Sequence, residues 1–212
     1  MTLSIAKLFP ALIALSFLPC ANLRAQDRLP PIPADKQTAA QEKAVAEYKD
    51  LRGADLTGPP WSVMLRVPDL VVPSLQLRLH NQRNSALSAK LTEFAIMLAA
   101  RHWTNNFEWN AHSTLAKNAG LNPAILDAVA DGRRPQGMAE EEDVLYDFCT
   151  ELLQNQSVSD PTYARMLAKF GEPGIVEAAS LEGYYTYLSM IMNTARSPLA
   201  QGVKPQLAPF PK

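Results

Sequence analysis

Residues 88–103 read SAKLTEFAIMLAARHW, and this stretch decides the fold class. From Phe94 to Ala100 the run is apolar on every side of a 3.6-residue helix, so the segment is expected inside a core rather than on its surface. Ser88 stands where an N-cap oxygen is wanted. Outward from it, FEWNAHSTLAKNAG at 107–120 predicts a helix from Phe107 to Ala119, closed by Gly120. Asn122-Pro123 is a cap followed by a first-turn proline, and that helix ends before Gly132. Residues 139–155 form the next helix; Glu140, Glu141 and Glu142 read as a solvated first turn, where the helix dipole favours anions. Asp160-Pro161 repeats the start signal, Gly171 closes that helix, and 174–195 make a long final one. Towards the N-terminus, 74–84 predict a short helix and 61–73 an irregular stretch with Pro68 and Pro73 as stops. Residues 35–51 predict a polar helix halted by Gly53. No run alternates with period two for long enough to be a strand. The expected class is all-α, with about seven or eight helices.

A chain of 212 residues fits a single domain, and 47% hydrophobic residues supply a core and exclude a wholly disordered chain. A net charge of −1 leaves no electrostatic footprint for nucleic acid. The first 25 residues read as a secretory leader. Lys7 precedes an apolar run from Leu8 to Leu18, and Ala25 is the expected cleavage position, with Ala21 the alternative. Pro19 before Cys20 argues against lipid attachment. Cleavage leaves one cysteine, Cys149, hence no internal disulfide or two-cysteine redox couple. It also implies export to a periplasm or beyond, with no membrane association afterwards. Residues 26–60 then form an N-terminal extension, 61–196 the main domain, and 197–212 a proline-rich tail that is either disordered or an arm on a partner subunit.

Chemistry gathers on two adjacent helices. At 100° per residue, His112 lies 40° from Glu108, one turn on, along a stripe otherwise made of Leu115 and Ala119. Glu93 opens the apolar helix and shares a face with Met97 and Ala100. Two carboxylates and an imidazole therefore point into apolar surroundings. Burial favours a neutral carboxyl while a neighbouring imidazolium favours the carboxylate, so the pair can hold a proton-transfer group near neutrality. A plain i,i+4 helix pair with an exposed Glu93 accounts for the spacing equally well. Cys149 shares a stripe with Leu145 and Leu152 and reads as a core thiol. Tyr184, Tyr185 and Tyr187 read as packing for the last helix, the alternative being a pocket wall. No cluster has metal-ligand spacing and no glycine-rich phosphate loop occurs, so neither metal nor cofactor is expected.

Several of these features together resemble the carboxymuconolactone decarboxylase family, which includes the alkylhydroperoxidase D-type (AhpD-like) proteins. They are Glu93 opening an apolar helix, Ala99-Ala100-Arg101, Phe107-Glu108-Trp109 with His112, Gly120-Leu121 and the Asn122-Pro123 helix. The likeness extends over residues 65–195. The peroxidase members place a glutamate, two cysteines three apart, and a histidine four residues later. Here Glu93 and His112 match the glutamate and histidine, but Asn105 and Glu108 stand at the cysteine positions. Without a thiolate and its resolving partner, thiol peroxidase (peroxiredoxin) chemistry is disfavoured. The resemblance instead implies a lyase acting on a small organic acid or lactone without a cofactor. It implies His112 as acid/base, Glu108 as its orienting partner, and Glu93 as a second acid. Arg101 and His102 would hold an anion, with Trp103 and Trp109 lining the site. A homo-oligomer, trimeric or hexameric, is also implied. The alternative is a small-molecule binding protein of the same fold without turnover.

Overall fold

The computed structural model describes residues 27–83 and 85–209; the leader assigned to residues 1–25 lies outside them. Among the described residues there are eight α-helices and no strand. In chain order they are α1 (Ala39–Arg52), α2 (Trp61–Met64), α3 (Val71–Arg83), α4 (Ala89–His102), α5 (Asn106–Asn118), α6 (Pro123–Ala130), α7 (Glu140–Asn155) and α8 (Asp160–Ala195). The all-α class read from the sequence is thus what the chain adopts. No helix among the described residues is long and apolar enough to cross a membrane.

Helix α4 is the axis of the molecule. The Ser88 hydroxyl accepts from the Leu91 amide to start it, and Phe94 through Ala100 are buried on every side. Helices α5, α7 and α8 pack directly around it, with α3 and α6 in lesser contact. Truncating a fully buried residue such as Met97 in such a core costs about 2–5 kcal/mol.

Helix α8 is kinked at Gly171, whose φ of 67° and ψ of −178° only glycine adopts readily. The two helices expected at 160–170 and 174–195 are the two limbs of this kinked element, with Pro173 just past the break. The irregular stretch expected at 61–73 is more ordered than its prolines suggested. It holds α2, a 3-10 turn at Pro68–Leu70, and the start of α3. Pro73 sits in the first turn of α3, where its missing N–H leaves no hydrogen bond unmade.

Both ends of the described chain join the core. Helix α1 carries a Thr38–Gln41 capping box and ends on left-handed Gly53. It packs on α3, and its Tyr48 ring lies 5.0 Å from that of Trp61. The described part of the N-terminal extension, 27–60, therefore shares a hydrophobic cluster with the rest of the fold through Ala44 and Tyr48. The proline-rich tail turns back on its own chain: Leu207 is buried, and Asn106 Oδ1 accepts from the Gln206 and Leu207 amides at 2.8 Å each. Up to residue 209, the described part of the tail is placed by these contacts with the start of α5. Glu142 also departs from the solvated first turn expected of it. It is buried, accepts from the Ala139 amide and pairs with Lys90 at 2.8 Å, because α7 packs this end against α4.

Candidate active site

The first turn of α5 is pinned before any chemistry is placed on it. Asn105 Oδ1 accepts from the Phe107 and Glu108 amides as N-cap, while its Nδ2 donates to Ser189 Oγ on α8 at 3.0 Å. One side chain thus sets both the start of α5 and its depth against α8. Glu108 and His112 project from that turn and the next, and Glu93 comes from the second turn of α4.

The three groups meet. His112 Nδ1 lies 2.7 Å from Glu93 Oε2, and Nε2 lies 3.3 Å from Glu108 Oε2. Glu108 is 3% exposed and His112 4%. The Tyr185 ring stands edge-on to the imidazole at 5.3 Å, its hydroxyl 3.5 Å from Nε2. Burial pulls the imidazole towards neutrality, but bonds to Glu108 and Glu93 and their charges outweigh it and push its pKa up to about 9. His112 is therefore an imidazolium at neutral pH, donating from both nitrogens. Burial, then the charge of Glu108, pushes the Tyr185 hydroxyl well above the ordinary tyrosine range, so it stays neutral.

A cavity of about 290 Å³ opens onto this cluster. Glu108, His112 and Tyr185 form its inner wall; Glu93 is absent from the lining and stands behind the imidazole. The outer wall comes from Tyr48, Arg52 and Trp61 and from Arg78 on α3. Arg52 Nη1 donates to the Tyr48 hydroxyl at 2.7 Å. Arg78 makes no hydrogen bond or ion pair with another described residue. The stripe through Leu115 is only partly apolar interior, since Leu115 is 46% exposed and the inward face of α5 ends one turn past the histidine.

The residues expected to hold an anion or line the site lie elsewhere. Arg101 and His102, at the opposite end of α4 from Glu93, border a separate cavity of about 120 Å³ with Val129, Arg133 and Tyr146. Arg101 Nη1 donates to the Thr104 hydroxyl and to the Ala208 carbonyl of the tail. Trp103 Nε1 donates to Thr186 Oγ1, and Trp109 is buried in the core cluster. Neither tryptophan lines the His112 cavity. The physical reason is helical phase and length: Glu93 and Arg101 are eight residues apart on α4, which turns them about 80° and carries them about 12 Å from each other.

The cavity cations were not picked out in the sequence. Arg78 follows fully buried Leu75 by three residues, which places it beside the inward face of α3, but that signal needs the true start of the helix. Arg52 faces the cavity because its helix packs on α3. No protein-family model matches the chain, and no curated protein matches it.

Proposed function

We propose that this chain performs cofactor-independent proton transfer on a small organic acid or lactone, by decarboxylation or a related proton shift. His112 is the acid, Glu108 the carboxylate beside the reacting carbon, and Glu93 the positioning residue. The observation that carries this reading is the asymmetry of the imidazolium. Its Nδ1 side is held tightly by a carboxylate outside the cavity, and its Nε2 side faces the cavity through two longer contacts. A proton on Nε2 is the one that can leave.

In a decarboxylation, the bond to the departing CO₂ breaks and its electron pair stays on the substrate as an enolate. The Nε2 proton of His112 then transfers to that carbon. Neutral His112 keeps its Nδ1 proton on Glu93 and takes a replacement at Nε2 from solvent. In a proton shift, Glu108 takes a proton from one carbon and His112 supplies one to another. The resemblance to the carboxymuconolactone decarboxylase family supports the same reaction class. Thiol peroxidase chemistry has no thiol here: Asn105 is committed to capping α5, and Cys149 is buried on α7.

The test is CO₂ release and product formation over a panel of lactones and oxo acids. His112→Gln and Glu108→Gln are expected to lose about 10²–10⁴ in turnover, the usual share of a positioned acid or base. Glu93→Gln keeps part of the activity and moves the alkaline limb of its pH profile downward, because the imidazole loses a partner that raises it. Unchanged turnover in His112→Gln ends this proposal. Binding without turnover in the wild type would leave the cavity a ligand site only.

A further inference from the structure

We infer that the His112 cavity selects a small monoanion, whose carboxylate is gripped by Arg78 and Arg52 with its reacting carbon turned towards His112. This rests on the proton-transfer reading for the word "reacting", but the anion seat itself rests on charge and geometry. Neither arginine lies in residues 93–132, the stretch that most clearly carries the family likeness.

Each charge around the cavity can be followed to its partner. Asp55, on the rim, is held by Lys49 at 2.8 Å. Glu108 and Glu93 share the one positive charge of His112, which leaves the cluster one negative charge in excess. Two arginines, Arg52 and Arg78, line the same cavity. Arg52 uses one nitrogen on a neutral phenol and so keeps its full charge, and Arg78 has no carboxylate among the described residues. One positive charge is left over in a half-enclosed site, where charges are screened less than on open surface. A single carboxylate removes that excess. A dianion would set a second negative charge near Glu108, and a neutral ligand would leave Arg78 as it is.

Arginine also brings the right shape. Its planar fork matches a carboxylate with two parallel N–H donors, which lysine cannot reproduce. Beyond the arginines the walls are mixed: Trp61, Phe107 and Leu188 are apolar, while Asp55, Thr57 and the His112 cluster are polar. At about 290 Å³ the cavity stands at the small end of ligand sites. The ligand is therefore a compact carboxylate.

Calorimetric titration of the full chain with matched pairs separates the possibilities. The probes are benzoate against benzamide, cyclohexanecarboxylate against its amide, and phthalate as the dianion. At least one monocarboxylate is expected to bind ten-fold or more tightly than its amide, and phthalate more weakly than benzoate. Arg78→Gln is expected to lower carboxylate affinity at least ten-fold while leaving the amides unchanged. Arg78→Lys falls between, which guards against a fold defect. Arg133→Gln, on the other cavity, changes nothing. Glu108→Gln should bind the carboxylate as well as or better than wild type, although turnover is lost. If no acid outbinds its amide, or Arg78→Gln leaves carboxylate affinity intact, the seat is wrong. Arg78-dependent binding with no turnover anywhere would uphold the seat and sink the reaction. Turnover of a neutral lactone, indifferent to Arg78→Gln, would do the reverse.

Discussion

Glu108 and Glu182 are both glutamates in the interior, 3% and 2% exposed, yet their surroundings differ in every other respect. Glu108 faces a cation 3.3 Å away and borders a cavity. Glu182, on α8, has no cation or strong donor at either oxygen among the described residues; only the weakly donating Cys149 thiol of α7 lies beside it. Burial pushes its pKa up to about 8, so at neutral pH it is chiefly a carboxylic acid. Burial alone therefore does not make a reactive carboxylate. A buried charge persists where a partner compensates it, and it can act where that compensated pair also meets a space a substrate can enter. The first region has both conditions and the second has neither.

The largest effect expected from breaking this contrast is at His112. His112→Ala leaves Glu93 and Glu108 close together without their shared cation. Removing one partner of a buried ionic group costs about 3–5 kcal/mol. Urea unfolding followed by circular dichroism should show the midpoint falling without a change in m-value. A loss below 1 kcal/mol would mean that water reaches both carboxylates, and the site would be open rather than buried.

Glu182 should behave in the opposite sense, and pH reveals it. Its carboxyl is neutral longer in the folded chain than in the unfolded one, so the folded state binds the extra proton. Stability from this group is intact below about pH 4.5 and falls as pH rises towards 8. His112 also has a raised pKa, so its contribution is complete below 6.5 and fades as pH passes through 9. Both slopes run downward with pH, in overlapping but distinct windows. Glu182→Gln should therefore stabilise the chain by on the order of 4 kcal/mol at pH 8 and by little at pH 4.5. Equal effects at the two pH values would show that Glu182 is not a buried acid.

The same pair explains what could be read in the chain before its fold was known. The 3.6-residue period brought Glu108 and His112 together, because one turn of one helix is a local fact. Residues 94–100 put α4 in the core for the same reason, and capping residues marked most helix starts. The link from Glu93 across to another helix needed the family resemblance as well as the pattern. Arg52 and Arg78 were not legible, since their meeting depends on how α1 folds over α3, and no local period reports a long-range crossing. Arg101 shows the opposite error. It is near His112 in sequence and far along its helix in space. Glu182 was legible in principle: Ala178, Leu181, Tyr185, Leu188 and Met192 are buried around it on one helical face, and a lone acid on such a stripe has no route to water.

The smallest effect sharpens the contrast most. Cys149 is fully buried, and burial followed by the influence of Glu182 pushes its thiol well above the ordinary range, so it remains a thiol. A thiol is a weak donor and relieves a neighbouring carboxyl only slightly. Cys149→Ser replaces it with a stronger donor of similar size on the same helix face. If the missing element at Glu182 is a partner, the hydroxyl supplies part of one. The downward pH slope should then shift to lower pH by less than about one unit, with overall stability changing by about 1 kcal/mol, the value of one hydrogen bond. An unchanged slope would mean that Glu182 stays protonated because no medium of adequate polarity surrounds it, with the identity of its neighbour immaterial. The compensation at Glu108 would then owe more to the full charge of His112 than to hydrogen bonding, and the two carboxylates would differ by electrostatics alone.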